Sequence, residues 1–250
     1  MKDLILASGS DGNCIYIGEG DHGILIDAGI SRRRIISSLA AFNIDPASID
    51  GIFVTHEHAD HVRGIEVISR HEKYPVYCTK GTISRLNRRL KDTNFVPIFQ
   101  ETKLNGFTIK PLPIPHDAEE PVSFVIETES GRLLVATDMG YVTDKVLDEI
   151  SKCNGIIFES NHDIEMLING PYPPDLKSRI LSRWGHLSNS QCALALKKSW
   201  WDGIKFVTLA HLSDKNNLPE LALKENTEAL PKNVNILTAN RHVPTGPLYL

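Results

Sequence analysis

Cysteine is scarce in this 250-residue chain: Cys14, Cys78, Cys153 and Cys192 are widely separated and form no CxxC pair. That spacing argues against a disulfide framework, and four reduced thiols in a cytosolic core are expected. Long hydrophobic runs are missing too. No stretch approaches the roughly 18 consecutive apolar residues of a membrane span, and Met1-Lys2-Asp3-Leu4 does not begin the apolar run of a signal peptide. A soluble, cytoplasmic protein with no membrane role is the expectation. Nor does either charge dominate. The formal net charge of −4 supplies no global attraction for nucleic acid, so any hold on phosphate has to come from a local patch or from bound metal. Linkers, low-complexity runs and short-period repeats are absent, which leaves one domain, residues 1–250, as the simplest division.

What is present is enough apolar sequence, 41% of residues, to bury a large core. Leu4-Ile5-Leu6, Cys14-Ile15-Tyr16-Ile17 and Gly23-Ile24-Leu25-Ile26 predict short strands between Gly-rich turns. Ser31 is placed to cap a helix over about 32–42. A second helix is expected from near Val62 and a third over Thr82 to Leu90, around a strand at Val76-Tyr77-Cys78. Val122 to Thr128 and Arg132 to Thr137 flank Ser130-Gly131 as a hairpin. The second half alternates strand and helix: helices over 144–151, 161–168 and 174–183, strands at 155–159 and 206–209. Ser188-x-x-Gln191 is a capping box opening a helix to about Trp201, and a last helix and strand follow. This order supports an α/β class.

The most informative stretch is Thr55-His56-Glu57-His58-Ala59-Asp60-His61, which leaves the carboxyl end of the apolar strand Ile52-Phe53-Val54. His56 and His58 point the same way while the backbone is extended. One tetrahedral ion would struggle to collect four such crowded ligands, whereas two ions side by side can share them. The competing reading, a polar loop whose histidines face water, fits poorly with three histidines and an aspartate packed into six positions.

The stretch matches the HxHxDH signature of the metallo-β-lactamase superfamily, and the chain resembles that family further on, at Pro115-His116-Asp117, Ala136-Thr137-Asp138 and Leu209-Ala210-His211, and earlier at Leu25-Ile26-Asp27-Ala28-Gly29. It looks most like the YycJ/WalJ-type subgroup, through Ser8 to Asn13, Glu159-Ser160-Asn161-His162-Asp163 and Gly185-His186-Leu187-Ser188-Asn189. The resemblance implies a four-layer αββα sandwich, two mixed β-sheets flanked by helices. It implies His56, His58 and His116 on one divalent ion, Asp60, His61 and His211 on a second, and Asp138 bridging. Nitrogen and oxygen donors suit zinc, and manganese or iron would also fit. His58 stands where redox di-iron relatives carry a carboxylate, which favours hydrolysis by a hydroxide bridging the ions. Asp27 is expected to brace the histidine-rich loop; a plain turn or capping aspartate is the alternative.

Three more residues bear on the reaction. His186 and Glu159 resemble the pair that, in the nuclease branch of the superfamily, faces the leaving oxygen, and a phosphodiester releases an alkoxide that must be protonated. With Asp60 they form the expected catalytic set; a Glu–His pair that merely ties two loops is the alternative. His162 is open between facing substrate and supporting the scaffold. Ser10 and Asn13 lie in a Gly/Ser turn whose amides suit an anion, or which is a tight turn and no more. His22, His71 and His242 belong to no motif. Basic residues gather at Arg32-Arg33-Arg34, at Arg85, Arg88, Arg89 and Lys91, and at Lys177, Arg179 and Arg183 beside Trp184, either as a phosphate track with Trp184 for stacking or as solvated faces.

The leading expectation is therefore a metal-dependent phosphodiesterase, a 5′→3′ exonuclease on DNA, in which the hydroxide attacks phosphorus in line and His186 protonates the leaving 3′-oxygen. Only a short connection separates Asp138 from His186, so no β-CASP insertion is expected. A small-molecule hydrolase of thioesters, lactones or cyclic phosphodiesters on the same ions is the alternative, with no need of the Glu159–His186 pair. A metal-stabilised binding module is a third reading, and it would require ions with no open position.

Overall fold

Each half of the chain opens with antiparallel strands and continues with parallel ones, and each half builds one sheet, the first completed to seven strands by the last strand of the chain. The computed structural model describes residues 1–232 and 234–250. In the first half are β1 (Lys2–Ala7), β2 (Cys14–Glu19), β3 (His22–Ile26), α1 (Arg32–Ala41), β4 (Ile49–Phe53), α2 (Ala59–Val62) and α3 (Ile65–Glu72). It ends with β5 (Val76–Cys78), α4 (Lys80–Leu86) and β6 (Phe95–Pro97). The second half begins with β7 (Thr102–Leu104), β8 (Phe107–Pro113), β9 (Val122–Thr128) and β10 (Gly131–Ala136). Then come α5 (Asp144–Ile150), β11 (Gly155–Glu159), α6 (Ile164–Asn169), α7 (Pro174–Ile180) and α8 (Asn189–Lys198). The chain finishes with β12 (Phe206–Ala210), α9 (Pro219–Ala229), β13 (Asn235–Thr238) and β14 (Thr245–Tyr249), the last returning to pair with β1.

The sheet orders are β14-β1-β2-β3-β4-β5-β6 and β13-β12-β11-β10-β9-β8-β7. Both are mixed: pairing is antiparallel from β14 to β3 and from β7 to β10, and parallel from β3 to β6 and from β10 to β13. Alternation along the strands explains why the sheets stack. Ile24 and Ile26 of β3 and Leu133 and Val135 of β10 belong to the core between the sheets. Leu25 turns outward to a layer with Ile35, Leu39, Ile65 and Ile68 of α1 and α3. Leu134 turns outward to Val146, Ile150, Cys192, Leu196 and Ala222 of α5, α8 and α9. Strands covered on both faces read as continuous apolar runs, as these do. The architecture is helices, sheet, sheet, helices. Phe53 joins the two sheets, stacked on Tyr77 with centroids 4.5 Å apart and edge-on to Phe124 at 5.8 Å.

Several boundaries differ from the sequence expectation. The helix expected from Val62 is split, with α2 opening at Ala59 behind His58 and α3 following Gly64. α4 starts earlier, because Thr79 caps it by accepting from Thr82 N, and it stops at Leu86. Asp163 caps α6 in the same way, so that helix begins at Ile164. The Ser188–Gln191 capping box is present in full. The strands β6 and β7, three residues each, escaped the pattern. The four cysteines are buried and unbridged. Among the described residues no helix is long and apolar enough to cross a membrane.

Candidate metal centre

The loops at the carboxyl ends of β3, β4, β8, β10, β11 and β12 meet at one edge of the sandwich, where the seven expected ligands converge. Three of those strand ends turn through the left-handed region: Asp27 at φ 60°, Asp138 at φ 61° and His211 at φ 56°. For residues other than glycine this conformation costs on the order of 1–3 kcal/mol each. It bends the chain sharply as it leaves the sheet. The loop after β3 then lies against the histidine-rich loop, with Ala28 N donating to His61 O at 2.9 Å and Asn13 N to Asp60 O at 2.7 Å. Gly29 is required there, since a Cβ on it would sit 1.6 Å from Asp60 O.

Donor atoms crowd the centre. His58 Nδ1 is 3.3 Å from His116 Nε2, His61 Nε2 is 3.4 Å from both Asp60 Oδ2 and Asp138 Oδ2, and His211 Nε2 is 3.5 Å from both Asp60 Oδ2 and Asp138 Oδ1. His116 Nε2 is 4.0 Å from Asp138 Oδ1. The atoms of His56, His58 and His116 form one mutually close set, those of Asp60, His61 and His211 another, and Asp138 shares sets with His56 and His61 and with His211. Ligands about 2.0–2.1 Å from a tetrahedral ion lie roughly 3.3–3.4 Å apart, so these spacings suit edges of a coordination shell better than hydrogen bonds. A second observation agrees. His56 Nε2, Asp138 Oδ2 and His211 Nε2 are buried with no hydrogen-bond partner, an arrangement that costs free energy unless something else binds them. The donor set fits divalent metal ions.

Charge follows the same logic. Burial disfavours charge on His61, yet Asp27 and Asp138 hold it well protonated, and His211 is pushed up to about 10 against burial by Asp138 and Asp60. Burial and the neighbouring histidines hold His56 neutral. Although burial works the other way, His211 and His61 keep Asp60 and Asp138 ionised. Protons on two histidines thus balance the carboxylates, in the places where cations would do the same.

The supporting partners are specific. Asp27 Oδ2 accepts from His61 Nδ1 at 2.7 Å while Oδ1 accepts from Thr55 N at 2.9 Å. Thr55 Oγ1 also reaches Asp27 Oδ2 at 2.9 Å and His56 Nδ1 at 3.0 Å. Gly185 O accepts from His116 Nδ1 at 3.2 Å, and Ser8 Oγ accepts from His211 N at 2.8 Å. Asn161 Nδ2 donates to His211 O at 2.8 Å. Asn13 stands among them, its Oδ1 accepting from Gly9 N at 2.9 Å and its Nδ2 lying 3.3 Å from Asp60 Oδ2. Ser10 does not: it is exposed, and its hydroxyl meets Arg241 Nη1 at 3.5 Å. Sequence reasoning missed Thr55, Ser8 and Asn161 as supports. Only the spacing of Thr55, next to the first ligand, offered a signal.

Beside the cluster, Glu159 Oε1 accepts from His186 Nδ1 at 2.7 Å, and His186 Nδ1 is 3.8 Å from Asp138 Oδ1. Glu159 Oε2 also accepts from Met139 N at 2.8 Å and Leu187 N at 3.2 Å, which fixes the carboxylate from two chain segments. Despite full burial, His186 and His211 hold it well below the usual carboxylate range. His162 is buried with both ring nitrogens unpartnered, and burial lowers it to about 4. The basic clusters divide. Arg32 pairs with Glu72 and Arg34 donates to Arg241 O, away from the cluster. Arg85, Arg88 and Arg89 line a groove of about 750 Å³ that ends at His58. Arg179 bonds Asp117 Oδ2 at 2.6 Å, and Asp117 Oδ1 is 3.3 Å from His116 Nε2.

Residues 22–201 match the Beta-lactamase superfamily domain. The chain is 37% identical to exodeoxyribonuclease YycJ of Bacillus anthracis over 223 residues, covering 87% of this chain and 84% of that protein. It is 36% identical to exodeoxyribonuclease WalJ of Streptococcus pneumoniae over 229 residues, 89% of this chain and 85% of that protein. Among solved structures, zinc-bound PqqB from Methylobacterium extorquens superposes with a TM-score of 0.72 at 16% identity, over 98% of this chain and all of that one (100%), a likeness of fold.

Proposed function

The chain belongs to the beta-lactamase superfamily, and from that premise we propose that it is a dinuclear metal-dependent phosphodiesterase, a cytoplasmic 5′→3′ exonuclease on DNA built as one domain without a β-CASP clamp. It is a hydrolase acting on ester bonds. Two curated relatives named exodeoxyribonucleases, aligned along most of their length, support the nuclease assignment. Zinc suits the donors best, and manganese or iron are the alternatives. His56, His58 and His116 would hold one ion, Asp60, His61 and His211 the other, and Asp138 would stand between them. When bound, such ions acidify water and neutralise charge at a reacting phosphorus.

The chain's own residues do the remaining work. The observation that carries the reading is the Glu159–His186 pair at 2.7 Å. Nδ1 of His186 is engaged by a buried carboxylate, so Nε2 is the nitrogen left to exchange a proton with substrate. The side chain is 17% exposed, at the rim of the cluster, whereas Glu159 is fully covered. Glu159 fixes the ring's orientation and tautomer through Nδ1, and His186 then delivers a proton from Nε2 to the departing 3′-oxygen. General acid catalysis of this kind contributes about 10²–10⁴-fold. Asp60 closes the other side of the cluster, and Asp27 and Asn13 hold the histidine-rich loop in place.

The test is a matched panel of 5′- and 3′-labelled single- and double-stranded DNA and RNA, with zinc and with manganese. The expected result is release of labelled mononucleotide from the 5′ end of DNA. Turnover of thioesters or lactones, with every polynucleotide left intact, would replace this reading by a small-molecule hydrolase.

A further inference from the structure

We propose that the turn between α7 and α8 is a nucleotide platform, on which Trp184 stacks against an unpaired base of single-stranded DNA while Arg179 holds an adjoining phosphate. The inference rests on the nuclease reading and adds the form of substrate the site accepts.

Trp184 is 58% exposed, in a chain where only 7% of residues are aromatic. Leu181, 51% exposed, follows α7 just before it. The backbone carrying this indole is nonetheless held tightly. Gly185 O accepts from His116 Nδ1 at 3.2 Å, and His186 Nδ1 is bonded to Glu159 at 2.7 Å. Gly140, two residues past Asp138, packs so closely that a Cβ there would lie 2.2 Å from Arg183 C and 2.6 Å from Trp184 N. The turn is therefore tied to three chain segments of the metal centre, at positions from one residue before the indole to two beyond it. A large apolar ring on a fixed backbone beside a reactive centre loses little conformational freedom when a base stacks on it.

The cations near it have separate roles. Arg183 lies over the Tyr141 ring, 4.8 Å from its centroid, rather than over the exposed Trp184 indole. Arg179 uses Nε on Asp117 Oδ2 at 2.6 Å, which leaves its terminal nitrogens for phosphate. Asp117 in turn is 3.3 Å from His116 Nε2, so the guanidinium is positioned from the cluster itself. Arg179 is 53% exposed. A stacking ring and a pre-oriented guanidinium at the rim of one site match the pattern by which single strands are bound, bases on aromatic faces and backbone on cations. A base paired inside a duplex has no free face to offer.

The experiment measures binding by metal-loaded protein to a fluorescent, phosphorothioate-linked single-stranded oligodeoxynucleotide, which resists turnover. Trp184→Ala is expected to weaken affinity about 5- to 100-fold, Trp184→Phe to restore most of it, and neither to change metal content or bis-p-nitrophenyl phosphate hydrolysis. Arg179→Ala is expected to lower the slope of log affinity against log salt by about 0.7, the signature of one lost phosphate contact on a single strand, whereas Trp184→Ala leaves the slope unchanged. Equal affinity for wild type and Trp184→Ala, or no binding by wild type, overturns the platform. Failure of the nuclease reading looks different: wild type cleaves no oligonucleotide, while Trp184-dependent binding persists and still supports the platform.

Discussion

Asp27→Asn isolates a single physical demand at the metal centre. Asp27 receives protons from two directions, Thr55 N on Oδ1 at 2.9 Å and His61 Nδ1 on Oδ2 at 2.7 Å. Only a carboxylate accepts at both ends. An asparagine keeps its oxygen toward one donor and must turn its NH₂ toward the other. If the oxygen stays on the fixed backbone amide, the NH₂ faces His61 and forces Nδ1 to accept. The imidazole proton then moves to Nε2, the nitrogen 3.4 Å from Asp60 Oδ2 and Asp138 Oδ2, where it blocks ligation.

The magnitude follows from the bond that is lost. A buried charge-assisted hydrogen bond is worth about 1.5–3 kcal/mol, or roughly 10- to 150-fold, close to the 10- to 100-fold loss of metal affinity typical of such outer partners. The Asn variant should fold, because Asn tolerates the left-handed backbone that Asp27 adopts at φ 60°. Zinc content after dialysis against a weak chelator should fall from two ions per chain toward one. A competition titration should show the second ion weakened and the first, at His56, His58 and His116, almost unchanged. Two ions bound at wild-type affinity would refute the tautomer argument and the division of ligands with it.

Two further outcomes follow from other parts of the fold. His186→Ala should retain both metals and lose about 10²–10⁴-fold in turnover of DNA, but much less with bis-p-nitrophenyl phosphate, whose leaving group needs no proton; equal losses on both substrates would reject the proton-donor role. Asp3 is buried between the sheets with both carboxyl oxygens unpartnered, and desolvation raises its pKa to about 8. The folded state therefore holds a proton that the unfolded chain releases near pH 4, so this contribution to stability is present in full below about pH 4 and is lost as pH rises toward 8. Asp3→Asn should gain on wild type in urea midpoint between pH 5 and pH 8; a constant difference across that range would show that Asp3 does not titrate there.

How far the site was legible depends on the range of each interaction. The loop from His56 to His61 could be read directly, because its crowding is local and strained without a ligand. His116, Asp138 and His211 are ordinary residues at strand ends. They became readable only through their order behind that loop, since nothing in Leu133-Leu134-Val135-Ala136 requires the next residue but one to reach a histidine 77 positions earlier. The partners Ser8–His211 and Arg179–Asp117 span 203 and 62 positions and carry no periodic signal at all. At Ser10, where an anion cradle and a plain tight turn were equally readable, the fold directs the Ser8 hydroxyl inward and sets Ser10 beside Arg241. Strands β6 and β7 were missed because each has three residues and buries none, whereas the equally short β5 buries Val76 and Cys78.

The left-handed strand ends connect these levels. Among the described residues, six other than glycine have positive φ, and three of them, Asp27, Asp138 and His211, are at this one site. The remaining three, Asn43, Lys73 and Asn105, sit in turns at the ends of α1, α3 and β7, where such a backbone is ordinary. A buried strand that ends in regular extended geometry sends its next side chain above or below the sheet, into one of the apolar layers. Turning through φ near +60° instead keeps the chain at the edge and lets a carboxylate or imidazole reach the gap between the two sheets. The same conformation on three strands, two in one sheet and one in the other, brings side chains from both halves of the chain to a common centre. The roughly 1–3 kcal/mol spent at each position is small against the apolar burial beneath it, where each fully covered Leu, Ile or Phe contributes about 1.5–3 kcal/mol. The double-sheet core can therefore sustain a strained, charge-dense edge, and the strain lies where a pair of cations would be held.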